Sequence, residues 1–229
     1  MHASLLKVGS GVQMIVNDVV TGIIAVVIGY LLGSIPSAYI ATRLAKGEDI
    51  RRLGGGNVGG LNVYREVGIL PAAGVAIVDV GKGAAAVAIA LWLLQASALW
   101  VLLAGLASVV GHNWMVWLKF NGGKGMGVTI GALCVLFPVY GYWLGLVIFL
   151  VVIAVPLIIT HNIALSMGIG LLSLPFITWL GMGSGIGIVM AVILGVVILI
   201  KFFPTARAAW VKSGAKRDFI FDRWQRHRR

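Results

Sequence analysis

Val19-Val20-Thr21-Gly22-Ile23-Ile24-Ala25-Val26-Val27-Ile28-Gly29-Tyr30-Leu31-Leu32-Gly33-Ser34-Ile35-Pro36 carries no charged residue, and none follows until Arg43. About 20 mostly apolar residues let a helix cross a bilayer. The stretch therefore reads as a membrane span from Val19 to about Leu44, interrupted at Gly33-Ser34-Ile35-Pro36. Proline there frees a backbone carbonyl and bends the helix, and the kink can aim Ser34 into a membrane-level cavity. The run is too long for the apolar core of a signal peptide, so the first helix is expected to be retained.

Six further apolar runs follow: Ile69 to Leu94, Ala98 to about Phe120, Met126 to about Tyr140, Tyr142 to Ile159, Ile163 to Leu180 and Ile186 to Phe203. The fourth span, Met126 to Tyr140, is short, which fits a tilted, broken or partly crossing helix. Gly141, His161-Asn162 and the stretch from Gly181 to Gly185 separate the later runs. The composition agrees: 60% of the 229 residues are hydrophobic and 11% charged, where soluble domains average roughly 45–50% and about 25%. The expected fold is all-α, a polytopic membrane helix bundle of about seven transmembrane helices. It forms one integral membrane domain over 1–229, with a basic tail at 204–229.

The net charge of +11 would suit a nucleic-acid binder, but the charges sit between apolar runs, so nucleic acid is excluded as a partner. Sixteen of the 18 basic residues fall in the first loop, the third loop and the tail. With seven spans these three segments share one side, and basic residues mark the cytoplasmic side. The N-terminus is then outside. The tail also carries Trp210, Phe219, Phe221 and Trp224, which suits either a segment lying on anionic headgroups or a plain positive-inside signal. The single cysteine, Cys134, lies in an apolar stretch and reads as a core residue.

Two loops hold the residues with chemical potential. The first runs Asp49-Ile50-Arg51-Arg52-Leu53-Gly54-Gly55-Gly56-Asn57-Val58-Gly59-Gly60-Leu61-Asn62-Val63-Tyr64-Arg65. Glycines such as Gly54 and Gly56 let backbone amides turn inward into an anion nest. Arg51 and Arg65 offer forked donors to phosphate oxygens, and Asn57 and Asn62 add neutral ones; a flexible linker is the competing reading. The third loop holds Gly111-His112-Asn113-Trp114 and then Lys119-Phe120-Asn121-Gly122-Gly123-Lys124-Gly125. Lys124, framed by Gly122, Gly123 and Gly125, opens the fourth span, where a helix N-terminus attracts anions. Gly125 replaces the Ser or Thr of a Walker A motif, so nucleotide binding is not supported. His112 is a candidate base or a structural hydrogen bonder. Asp79 and Lys82, three apart inside the second span, share a helical face. They read as an ion pair that cements the bundle or as polar groups facing substrate.

In combination these motifs are recognisable. Gly33-Ser34-Ile35-Pro36, Asp49-Ile50-Arg51, Gly56-Asn57, Gly59, Asn62 and Arg65 resemble the first signature of the acyl-phosphate-dependent glycerol-3-phosphate acyltransferases, the PlsY family. Gly111-His112, Phe120 and Gly122-Gly123-Lys124-Gly125 resemble the second, and Asp79, Lys82 and Gly83 also fit. The resemblance is close over residues 30–131. It departs at Gly55, where the family usually carries serine, at Ala164 in place of a serine, and in a His-Arg-Glu-Asn run absent from Lys201 to Arg229. Ser166, His161, Asn162 and Arg207 are polar residues that could stand in.

The resemblance implies transfer of a fatty acyl group from acyl phosphate to the 1-hydroxyl of glycerol 3-phosphate, in the inner or plasma membrane, on the cytoplasmic side. No cofactor or metal is expected. Acyl phosphate is already activated, so the chemistry needs positioning and charge stabilisation and no enzyme nucleophile. Arg51, Arg65 and Lys124 would hold two phosphates, Ser34, Asn57 and Asn62 would orient oxygens, and the base is either the acyl phosphate itself or His112. The acyl chain would lie in an apolar groove between helices. The rival readings are a non-catalytic, lipid-binding relative and a small-solute transporter.

The charge distribution generates the first prediction. Reporter fusions should place the C-terminus in the cytoplasm and the N-terminus outside. A cytoplasmic N-terminus would overturn the seven-span arrangement.

Overall fold

The structure, a computed structural model, describes residues 2–160, 162–183 and 185–212. His161 and the tail beyond Lys212 fall outside the described residues, as do the side chains of Ala164 and Trp210. The readings placed on His161, Ala164, Trp210, Phe219, Phe221 and Trp224 therefore lie outside them too.

Among the described residues, nine α-helices follow one another: α1 His2–Gly33, α2 Ser37–Lys46, α3 Gly60–Glu66, α4 Ile69–Ala88, α5 Ala98–Asn113, α6 Met126–Val139, α7 Trp143–Thr160, α8 Ile163–Met182 and α9 Gly185–Lys212. Short 3-10 turns occupy Ile50–Arg52 and Val116–Leu118, and a π-helical turn, Ile89–Leu93, extends α4. Among the described residues, five segments are long and apolar enough to cross a membrane: Gln13–Lys46, Ile69–Leu93, Ala98–Leu118, Trp143–Thr160 and Gly185–Pro204. Met126–Val139 and Leu165–Gly181 are apolar but shorter. The chain is thus an all-helical integral membrane protein.

Two α-helices differ in extent from the apolar runs that contain them. The first helix begins at His2, well before Val19. The third stops at Asn113, although the apolar segment continues to Leu118. Beyond Asn113 the chain turns inward so that Met115 and Leu118 become buried. Lys119 and Phe120 complete the turn in left-handed conformations, with φ of 56° and 59°.

The chain forms two compact units, Met1–Val135 and Leu136–Arg229. In the second, α7 packs on α8 and α8 on α9. Gly170 faces Ile153 and Phe149, and the Tyr142 ring covers Gly145 and Gly181. Asn162 caps α8 by accepting from the Leu165 amide at 3.1 Å, and the Ser166 hydroxyl donates to the Asn162 carbonyl at 2.8 Å.

The first unit carries the functional loops, and its backbone is the α1–α5 pair. The two helices lie so close that a methyl group on Gly33 would strike the Ser108 carbonyl, and one on Gly111 the Tyr30 carbonyl. Such small-residue seams let helices in lipid gain dispersion contact without a hydrophobic driving force. Hydrogen bonds lock the seam at both ends. Near one, Asp18 accepts from the Ser97 amide (3.2 Å), the Ser97 hydroxyl (3.1 Å) and the Trp100 indole (3.1 Å). Near the other, the Tyr30 hydroxyl donates to the Trp114 carbonyl at 2.9 Å and Ser34 Oγ to the Gly111 carbonyl at 3.3 Å. The same close approach joins α4 to α6, with Gly83 against the Val128 carbonyl and Gly131 against the Val80 carbonyl.

Forcing a methyl into a filled seam costs about 1–3 kcal/mol. Gly111→Ala should therefore lower the thermal midpoint in detergent. Gly74→Ala, whose added methyl meets nothing within 4 Å, should stay within about 0.5 kcal/mol of the parent chain. Equal behaviour of the two variants would show that the seam is loosely packed.

Candidate functional site

The broken first span sets the site. Pro36 occupies the N-cap of α2 and has no amide to donate, and the Ile35 carbonyl just before it lies between α1 and α2. That carbonyl accepts from the Ser37 amide at 3.0 Å and from Lys82 Nζ at 3.1 Å. Lys82 is paired with Asp79 at 2.9 Å, and both are buried. Asp79 Oδ1 also accepts from Ser37 Oγ at 2.6 Å and lies 3.7 Å from His112 Nδ1. Ser34, expected to orient substrate oxygens, is fully buried and spends its hydroxyl on Gly111. Ser37, three residues on and not singled out by the sequence, is the serine that reaches the charged pair.

The first loop is a folded object. Ile50, Val58 and Val63 from the loop and α3 are buried with Ala38, Ala72, Val75, Met115 and Leu118 in one apolar cluster. Asn62 organises the turns above it. Its Nδ2 donates to the Leu53 carbonyl at 3.0 Å, the Asn57 carbonyl at 3.1 Å and the Ile50 carbonyl at 3.4 Å, and its Oδ1 accepts from the Gly55 amide at 3.3 Å. Gly54 and Gly56 take positive φ, as an inward-turned nest requires. Here, however, the Gly55 amide goes to Asn62 and the Gly56 amide to the Leu53 carbonyl. Asn57 Nδ2 sits beside Gly59.

Arg51 straps this loop to the third. Its Nε and Nη2 bind Asp49, the shortest contact being 2.6 Å, its Nη1 donates to the Leu118 carbonyl at 3.3 Å, and its guanidinium lies 5.7 Å from the Tyr39 ring centre. The Arg51 hydrogen bonds hold the Asp49 carboxyl below the usual carboxylate range against the opposing effect of burial. Arg65 lies at the end of α3 and is exposed.

The glycine turn of the third loop seats on His112. The Gly123 amide donates to the His112 carbonyl at 2.9 Å, and a side chain at Gly123 would collide with the imidazole at Nε2 and with the Val58 carbonyl. A side chain at Gly122 would strike the His112 carbonyl. The two loops therefore meet over the His112 ring, which is 3% exposed. Lys124 comes next, at the mouth of α6, where backbone amides and the helix dipole favour an anion. Burial first, and then the positive charge of Arg65, push its ammonium down to about 8. The structure thus brings Arg65 and Lys124 together, while Arg51 is held by Asp49. Asn113 also went unremarked in the sequence; it is fully buried beside Gly125, and its amide atoms have no protein hydrogen-bond partner among the described residues. Among the described residues, no group of three or more His, Cys, Asp or Glu side chains could hold a metal ion.

Comparison with known proteins adds to this geometry. A family model described as Glycerol-3-phosphate acyltransferase matches residues 23–209. The chain is 48% identical over 202 residues to glycerol-3-phosphate acyltransferase 1 of Dehalococcoides mccartyi, covering 88% of this chain and 97% of that one. It is 38% identical over 185 residues to the glycerol-3-phosphate acyltransferase of Parasynechococcus marenigrum, covering 81% and 84%. Among solved structures it resembles the crystal structure of PlsY (YgiH), an integral membrane glycerol 3-phosphate acyltransferase, in its glycerol 3-phosphate form. The TM-score is 0.72 at 26% identity, over 83% of this chain and 92% of that one. The lysophosphatidic acid form gives a TM-score of 0.70 at 24% identity, a likeness of fold.

Removing the Asn62 amide would strip three carbonyls and the Gly55 amide of their partner. Each buried polar group left unsatisfied costs about 1–3 kcal/mol. In Asn62→Ala, hydrogen exchange over residues 53–59 should rise tenfold or more, at about 1.4 kcal/mol per decade. Unchanged exchange would show that the apolar cluster alone holds the loop.

Proposed function

The chain belongs to the glycerol-3-phosphate acyltransferase family, and from that footing we propose that it transfers a fatty acyl group from acyl phosphate to the 1-hydroxyl of glycerol 3-phosphate. The products are lysophosphatidate and phosphate. The observation that carries this reading is the convergence of Arg65 and Lys124 at the mouth of α6. Burial and, after it, the positive charge of Arg65 depress the Lys124 ammonium, and a phosphate dianion bound beside both cations offsets the two effects. The glycine turn gives that anion close access to backbone amides.

In the reaction the acceptor hydroxyl attacks the acyl carbonyl carbon, a new ester C–O bond forms, and the bond from that carbon to the phosphate oxygen breaks. Lys124 and Arg65 stabilise charge on the phosphates, and the turn fixes their position. The hydroxyl proton goes to the departing phosphate. His112 is the weaker candidate for that proton, because its ring is enclosed between Asp79 and Gly123. Asn62 acts by shaping the first loop, and Arg51 by tying it to the third. In this reading the reaction takes place at the cytoplasmic face of the cell membrane, with the N-terminus outside. The acyl chain lies along the lipid-facing helices.

The decisive assay gives the purified protein labelled acyl phosphate with glycerol 3-phosphate, and acyl-CoA separately. Phosphate release that depends on the acceptor, with acyl phosphate alone as donor, is the expected result; no turnover would favour a non-catalytic lipid-binding relative. Loss of one hydrogen-bonded charge partner costs roughly 2–5 kcal/mol, so Lys124→Ala should lower kcat/KM thirtyfold or more, at about 1.4 kcal/mol per decade. The pH profile gives an independent check. Lys124 is charged below about 8 and neutral above it, so kcat/KM should fall as pH rises through about 8. Lys124→Arg, which stays charged, should lack that basic limb. Near-normal activity of Lys124→Ala would remove it from the site.

A further inference from the structure

The pair Asp79–Lys82 is buried, so its simplest role is to neutralise itself within the bundle. The hydrogen bonding around it argues for more. A buried ion pair is often no more stabilising than apolar residues of the same volume. One that only cemented α4 would have no need of bonds to other helices. This pair directs its remaining contacts outward: Asp79 to Ser37 of α2 at 2.6 Å and to His112 of α5 at 3.7 Å, Lys82 to the Ile35 carbonyl at the helix break at 3.1 Å. On the fourth side Gly127 of α6 packs against the Asp79 Cβ, so closely that a methyl there would come within 2.9 Å.

These are the elements that carry the site. His112 is the seat of the glycine turn through its carbonyl and its ring, and Lys124 is the residue that follows Gly123. Gly127 lies in the first turn of α6, the helix whose N-terminus would face the anion. Movement of the Asp79 carboxylate is therefore passed to Lys124 by two routes, through His112 and through α6.

Resting on the function proposed above, we propose that Asp79 is a positioning residue for the reaction: it sets the place of the Lys124 turn by holding Ser37 and Lys82 at the one carboxylate oxygen that faces His112. It touches no substrate.

Two variants separate positioning from cement. Asp79→Glu keeps the charge and can still pair with Lys82, but shifts the carboxylate by one methylene. Asp79→Asn/Lys82→Met removes both charges together, so no orphan ion is left in the bundle. Each is purified in detergent as the full chain, and its thermal midpoint, its kcat and KM for acyl transfer, and its affinity for glycerol 3-phosphate by calorimetry are measured per folded molecule. The expected result is that at least one variant melts close to the parent chain and yet loses tenfold or more in kcat/KM, with weaker glycerol 3-phosphate binding. Wild-type kinetics and binding, within threefold, in whichever variant folds would overturn the proposal and leave the pair as cement. If the parent chain itself turned nothing over, the proposed function would fail. The positioning role would then be decided by binding alone, with unchanged affinity in the folded variants counting against it.

Discussion

A helix that breaks inside a membrane leaves backbone groups that water cannot reach, and each such group is costly until something polar meets it. In this protein the Ile35 carbonyl lies at the break, and the Ser37 amide and Lys82 meet it. A buried ammonium is costly in turn, and Asp79 neutralises it. The carboxylate then draws in Ser37 and faces His112. One interrupted span thus requires a chain of polar partners from three helices, and that chain lies directly under the turn that presents Lys124. The close glycine contacts between α1 and α5 and between α4 and α6 keep those partners within hydrogen-bonding reach.

Much of this was legible in the sequence, for physical reasons that can be stated. Uncharged apolar runs announce spans, and Asp79 and Lys82 at i, i+3 within such a run can hardly avoid one another. Lys124, framed by glycines, reads as the opening of the fourth apolar run, and α6 begins two residues after it. Other features could not be read. Ser34 and Ser37 flank the same proline, and Pro36 destroys the periodicity that would say which of them faces α4. Met115 and Leu118 look like the continuation of a span, because hydropathy does not distinguish burial in lipid from burial in a small protein core. That core, beneath the first loop, is also why a glycine-rich stretch that resembles a linker is folded.

Arginine taught a similar lesson. Arg51 and Arg65 flank the same loop and carry the same donors. The difference between them lies in local neighbours: Asp49 sits two residues from Arg51 and caps the 3-10 turn that contains it, whereas Arg65 ends a short helix facing Lys124. An acidic residue so near an arginine is a signal that the arginine is already occupied. The Asn62 amide shows the same economy, since its four hydrogen bonds are spent on shaping the loop.

The length of α6 has one more consequence. This helix, which begins two residues after Lys124, has 14 residues, or about 21 Å at 1.5 Å per residue. The hydrocarbon layer is about 30 Å thick. Where α6 crosses, lipid beside it thins or its end sits below the headgroup plane, at fractions of a kcal/mol per ångström of mismatch. On the proposed function, the turn bearing Lys124 then lies in a dimple of the bilayer surface, with water above it and acyl chains level with it. A soluble phosphate and a lipid-borne acyl group can meet at that depth without either crossing the interface, and the thickness of the host membrane becomes a variable to which the site responds.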